Sequence, residues 1–136
     1  MSRFCLQCDD GTELVLTNRH LPVSVPGMND VVPDVHGWHC PKCRECEFVP
    51  GENEGERVSR AMDALFDRAR KMESEQVRAI RKRLGLTQTK AANIFGGGVN
   101  AFSEYERGKT QPHKSTLLLL KLLDQHPELL DEIRAA

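Results

Sequence analysis

The chain has no run of apolar residues near the roughly 18–20 that a bilayer span needs. Its opening, Met1-Ser2-Arg3-Phe4-Cys5, lacks the hydrophobic core of a secretory signal. Neither a membrane protein nor a secreted one is expected, which leaves the cytoplasm. Aromatic residues are scarce at 5%, against 29% charged residues, yet apolar residues are frequent enough for a folded protein. Internal repeats and low-complexity tracts are absent. With 136 residues the chain accommodates one ordinary domain or two small ones. A module of about 70 residues buries little surface and commonly relies on a metal, disulfides or a partner chain.

A formal net charge of -1 conceals an asymmetry. Residues 78–121 hold nine Lys/Arg against two Asp/Glu, whereas residues 1–73 hold nine against thirteen. A basic block in a near-neutral chain points to a polyanion partner for that block alone.

Five cysteines in a reducing compartment read as metal ligands more readily than as disulfides. Cys5-Leu6-Gln7-Cys8 and Cys40-Pro41-Lys42-Cys43 are two C-x-x-C pairs separated by 31 residues. Each pair turns two thiolates toward one point, and two pairs complete a tetrahedral S4 site suited to one structural Zn2+ per chain. Four protein ligands leave no open position for water, so catalysis at the metal is not expected. Iron in the same geometry is one alternative. A redox-active C-x-x-C is another, although the βαβ pattern that accompanies it is missing. Cys46 reads as a free thiol, and His36 and His39 as neighbours of the second pair rather than ligands.

The expected fold class is α+β: a small zinc-bound domain with short strands and a helix, then an all-helical domain. Glu13–Leu16 and Pro22–Val25 are strand candidates, the second followed by the turn signal Pro26-Gly27. Val58, Met62, Leu65, Phe66, Ala69 and Met72 recur at helical spacing over 56–72, a stripe that packs on the zinc domain or docks another protein. Residues 71–76 read as a hinge, giving domains 1–72 and 73–136. Ser74 is expected to cap the next helix, which Gly85 ends, and Thr87 to cap the one after, which Gly96 ends. A third helix is expected over 99–106 and a fourth after Pro112. His126-Pro127-Glu128 breaks the fourth and starts a short final one.

The segment Leu86-Thr87-Gln88 … Ala92 … Gly96 … Phe102 … Tyr105-Glu106-Arg107-Gly108 has repressor-type helix-turn-helix spacing. Val99, Phe102 and Tyr105, at steps of three, give the third helix a buried face. Asn100, Ser103, Glu104 and Arg107 are left outward, toward a major groove. Asn100 is the candidate base reader, because its amide pairs bidentately with adenine. Gln88, at the start of the second helix, is a candidate phosphate holder. Arg81, Lys82, Lys90, Lys109 and Lys114 are candidates to neutralise phosphates. Leu117 to Leu120, Leu122 and Leu123 make the fourth helix too apolar for one-sided burial, which suggests a dimer seam besides core packing.

Phe95-Gly96-Gly97-Gly98-Val99-Asn100-Ala101-Phe102-Ser103-Glu104-Tyr105-Glu106-Arg107-Gly108, then Gln111-Pro112-His113 and His126-Pro127-Glu128-Leu129-Leu130, closely resembles the MqsA (YgiT-type) antitoxins. The two C-x-x-C pairs complete the likeness, which covers nearly the whole chain. The resemblance implies a non-enzymatic protein with an N-terminal domain that binds zinc and neutralises a cognate ribonuclease toxin of the MqsR type. It implies a C-terminal domain that dimerises and represses its own operon on a palindromic double-stranded DNA operator. Cys5, Cys8, Cys40 and Cys43 match the family's zinc ligands, and Asn100 its base-reading Asn. Glu104 stands where a member of the family has a base-contacting Arg, which implies an operator different from that of Arg-bearing relatives. A stand-alone zinc-containing regulator without a toxin is the alternative.

Overall fold

A computed structural model describes residues 1–135. The chain forms two compact units, Met1–Ala69 and Arg70–Ala136.

In the first unit, strands β1 (Val15–Val25) and β2 (Met28–His39) form an antiparallel hairpin, and the two-residue β3 (Cys46–Glu47) adds to β2. The turn is Pro26-Gly27, with Gly27 at φ 83°. The second strand candidate thus lies within β1. The first only overlaps its start, and β2 carried no signal recognised in the sequence. Leu21, Val23 and Val25 alternate on β1 and point to one face, as period-two geometry requires. With Val32 and Val35 they pack against Leu65 of helix α1 (Glu54–Arg83), which is fully buried. Val58, Met62 and Ala69 flank it. The apolar stripe thus covers the hairpin, apart from Phe66 and Met72, which stay exposed.

Two expectations are corrected. α1 runs unbroken through Lys71–Gln76, so Ser74 lies inside a helix instead of capping one. The stretch contains strong helix formers, and nothing in it stops propagation.

In the second unit the end of α1 packs with α2 (Gln88–Phe95), α3 (Ala101–Glu106), α4 (Lys114–Gln125), a 3-10 turn (Pro127–Leu129) and α5 (Leu130–Ala135). Val77, Ile80, Leu86, Ala91, Ala92, Phe102, Leu120 and Leu123 form its core. Thr87 caps α2 as expected, its hydroxyl accepting from the Lys90 N–H at 3.1 Å. Together the sheet, the helices and the four-cysteine cluster make an α+β protein. No helix among the described residues is long and apolar enough to cross a membrane.

Candidate metal centre and nucleic-acid interface

The two cysteine pairs meet because the hairpin brings its ends together. Cys5 and Cys8 precede β1, Cys40 and Cys43 follow β2, and Val15 pairs with His39 in register. The first turn is held by the Cys5 N–H donating to the Thr12 carbonyl at 2.8 Å. The four sulfurs lie within 4.8 Å of one another, with Cys5 to Cys43 at 3.5 Å and Cys8 to Cys40 at 3.8 Å. Sulfurs about 2.3 Å from a tetrahedral zinc ion stand about 3.8 Å apart, so the cluster has the size of such a site. Four cysteines placed in this way can hold a metal ion.

The electrostatics agree with that use. Burial opposes ionisation of Cys40. Backbone N–H groups of Cys43 and Lys42 nevertheless donate to its sulfur and bring its pKa down to about 7. Cys8 is pushed up to about 12, first by burial and then by its three neighbouring thiols. Four thiols this close do not all ionise without a cation among them. Neither histidine joins the cluster. His39 is buried with Nε2 on the Val35 carbonyl at 2.8 Å, and His36 pairs with Glu52. Cys46 is half-buried on β3, beside Gly37. A Cβ on Gly37 would stand 2.7 Å from the Glu47 carbonyl oxygen, so β3 reaches β2 only because that residue is glycine.

In the second unit, Gly96, Gly97 and Gly98 all have φ between 83° and 93° and turn the chain from α2 into α3. The third helix begins at Ala101, two residues later than expected, which corrects the buried face. Ala101 and Phe102 are buried and Tyr105 packs on the core, while Val99 stands in the turn, 67% exposed. Phe102 stacks between Phe95 and Tyr105, with ring centroids 5.7 and 5.4 Å away.

Asn100 occupies the N-cap position of α3, yet its side chain makes no capping hydrogen bond and is exposed. Glu104 is half-buried, 3.8 Å from the Lys109 ammonium and 3.5 Å from the Thr110 hydroxyl. Ser103 is half-buried, and the exposed Arg107 donates through Nε to its carbonyl at 3.2 Å. Lys82, Lys90, Lys109 and Lys114 are exposed. Arg81 is placed differently from the other basic candidates. Its side chain is 11% exposed and forms an ion pair with Glu106 at 2.7 Å. Gln88 is half-buried and donates to the same carboxylate at 3.2 Å. Sequence reasoning missed Glu106, a charged residue in a surface-looking Tyr-Glu-Arg-Gly string. The available signal was its step of four from the buried Phe102, which sets it on the inner side of α3.

Comparison with known proteins decides the family. Residues 3–134 match the family described as the antitoxin component of a bacterial toxin-antitoxin system, MqsA. The chain belongs to the MqsA antitoxin family. It is 41% identical over 130 residues to the antitoxin MqsA of Escherichia coli (strain K12), covering 96% of this chain and 98% of that protein. Members of this family are regulatory proteins, not enzymes, and the chain is an antitoxin in that sense.

Proposed function

We propose that this antitoxin has two binding functions on its two units. The cysteine cluster holds one structural Zn2+, and the unit around it neutralises an MqsR-like ribonuclease toxin in the cytoplasm. The helical unit binds a palindromic operator as a homodimer and represses the antitoxin's own operon.

The observation that carries the DNA reading is the free amide of Asn100. It stands exposed at the start of α3, a helix anchored by the buried Ala101 and Phe102. A rigid helix with an unspent amide at its N-terminal end suits base-edge recognition in a major groove. Lys90, Lys109 and Arg107 are exposed and offer positive charge to phosphates, and Ser103 adds a hydroxyl. Glu104 is an acceptor suited to a cytosine amino group. Leu118 and Leu122, one turn apart on α4, are 55% and 48% exposed and support a dimer seam. The S4 donor set supports zinc over harder metals, and zinc would supply folding free energy that a thin hairpin core lacks.

The test of the toxin arm is co-expression with the adjacent gene. Growth rescue and co-purification are expected, and a neighbour that is neither toxic nor retained would favour a stand-alone regulator. For the DNA arm, selection from a randomised palindrome library is expected to enrich one sequence.

A further inference from the structure

The backbone does not serve the four sulfurs of the cysteine cluster equally. In the second pair, the Lys42 and Cys43 N–H groups both donate to Cys40 Sγ, and the Glu45 N–H donates to Cys43 Sγ, each at 3.4 Å. In the first pair the Cys8 N–H donates to Cys5 Sγ at 3.4 Å. Among the described residues no backbone N–H donates to Cys8 Sγ. The next residue, Asp9, lies in the left-handed region at φ 49° and spends its N–H on the Cys5 carbonyl at 3.1 Å. Cys8 is also half-buried, where Cys5 is buried.

What the first pair does have is a tie to the second. Asp10, two residues after Cys8, accepts through Oδ2 from Lys42 Nζ at 2.8 Å, and Lys42 lies between Cys40 and Cys43. The two side chains are 43% and 62% exposed, and an exposed ion pair commonly contributes little, because two flexible side chains must be ordered to form it. Here part of that ordering is already done. Asp10 Oδ1 accepts from the Thr12 N–H at 3.0 Å and from the Thr12 hydroxyl, and the Lys42 backbone is tied to Cys40 through its own N–H. A divalent ion among four thiolates leaves a site with excess negative charge, which hydrogen-bond donors and cations around the sulfurs offset.

We propose that Lys42 is a positioning residue for the zinc site: gripped by Asp10, it latches the first cysteine pair onto the second and brings positive charge toward Cys8, the sulfur that no backbone amide serves. Cys8 is the ligand through which the site opens, and the latch sets how readily the metal leaves. This rests on the zinc reading given above.

The test uses the full chain, with its zinc content measured first. A chain that holds no zinc and takes none up removes the metal reading itself, before any variant is made. In the loaded chain, zinc release to the chromophoric chelator 4-(2-pyridylazo)resorcinol is followed for the native protein, Lys42→Met, Asp10→Asn and Lys42→Arg. Asparagine keeps an oxygen for Thr12 but loses the charge that holds Lys42. Release is expected to be about threefold to tenfold faster in Lys42→Met and Asp10→Asn, and within about twofold of native in Lys42→Arg, which keeps the cation. The gap between native and Lys42→Met is expected to close as salt is raised, because exposed charges are screened. Alkylation of the loaded chain by iodoacetamide, mapped by mass spectrometry, is expected to reach Cys8 before Cys5, Cys40 and Cys43. Lys42→Met is expected to speed it at Cys8 and leave Cys46 unchanged. Native release rates in both Lys42→Met and Asp10→Asn would overturn the inference. So would a gap that salt does not touch, which would assign the effect to packing, or first attack at another of the four sulfurs.

Discussion

A side chain that has not spent its hydrogen bonds at home is the one available for recognition. Asn100 is such a residue, whereas Arg81 and Gln88 are engaged with Glu106; the sequence alone offers Asn100 to a base and the other two to phosphates. Truncating Asn100 to Ala is expected to lower operator affinity by roughly 1–3 kcal/mol without changing the melting temperature. A gel-shift midpoint that does not move would remove Asn100 from the base-reading role. Glu104 is held near Lys109 and Thr110, so its carboxylate is already partly balanced. Exchanging it for Arg replaces an acceptor with a fork of donors that favours guanine. The palindrome selected by Glu104→Arg is therefore expected to differ from that selected by the native chain, and one common preferred sequence would refute the assignment.

Elements here are defined by how they start and stop, and by which faces they bury. The turn into α3 shows how little freedom that leaves. Gly97 has φ 93°, and a Cβ there would meet the Tyr105 hydroxyl at 3.0 Å and the Ala101 Cβ at 3.1 Å. Gly97→Ala is expected to destabilise the second unit by at least about 1 kcal/mol, from backbone strain alone. Thermal denaturation checks this, and an unchanged midpoint would show that the turn tolerates a side chain. In the first unit Leu65 is the one fully buried residue that α1 offers the hairpin. Leu65→Ala is expected to cost about 2–5 kcal/mol, read from chemical denaturation. Much at this scale was legible in the sequence. The Thr87 cap, the glycine stops and the cysteine spacing are local signals, and each appears where it was expected. The long hairpin was not legible, because both of its strands are largely solvent-facing and carry Pro, Asp, Asn and His that mask alternation. The continuity of α1 was missed because a polar stretch between two apolar patterns looks the same as a hinge or as an exposed helical turn. The burial of Glu106 was missed because a charge is read as surface until its partner, 25 residues earlier in the sequence, is in place.

At the scale of the whole molecule, two units with different sources of stability lie on one chain. The second has a larger core, in which aliphatic side chains of its helices pack around Phe102. The first has a core of four valines and one leucine, plus a separate cluster in which Cys5, Leu14 and Cys40 are buried beside Cys8, Trp38 and Cys43. A metal among the sulfurs would convert that second cluster from a crowd of competing thiols into a closed site, a contribution on the order of 10 kcal/mol in structural zinc modules. Removing the metal should therefore act on one unit only. Trp38 is the chain's single tryptophan, it packs on the cysteine cluster, and Arg3 lies over its ring at 5.2 Å. Chelation at neutral pH is expected to shift Trp38 emission to the red and to abolish toxin capture, while the helical circular-dichroism signal falls only slightly and operator binding persists. Cys40→Ser is expected to reproduce this without chelator, because it removes the thiol that the Lys42 and Cys43 backbone amides favour for ionisation. If Trp38 emission stays put after elemental analysis shows the metal gone, the fold of the first unit does not depend on the ion. The four sulfurs would then be packed residues of an ordinary core, and the idea of a metal-held unit would fall with them.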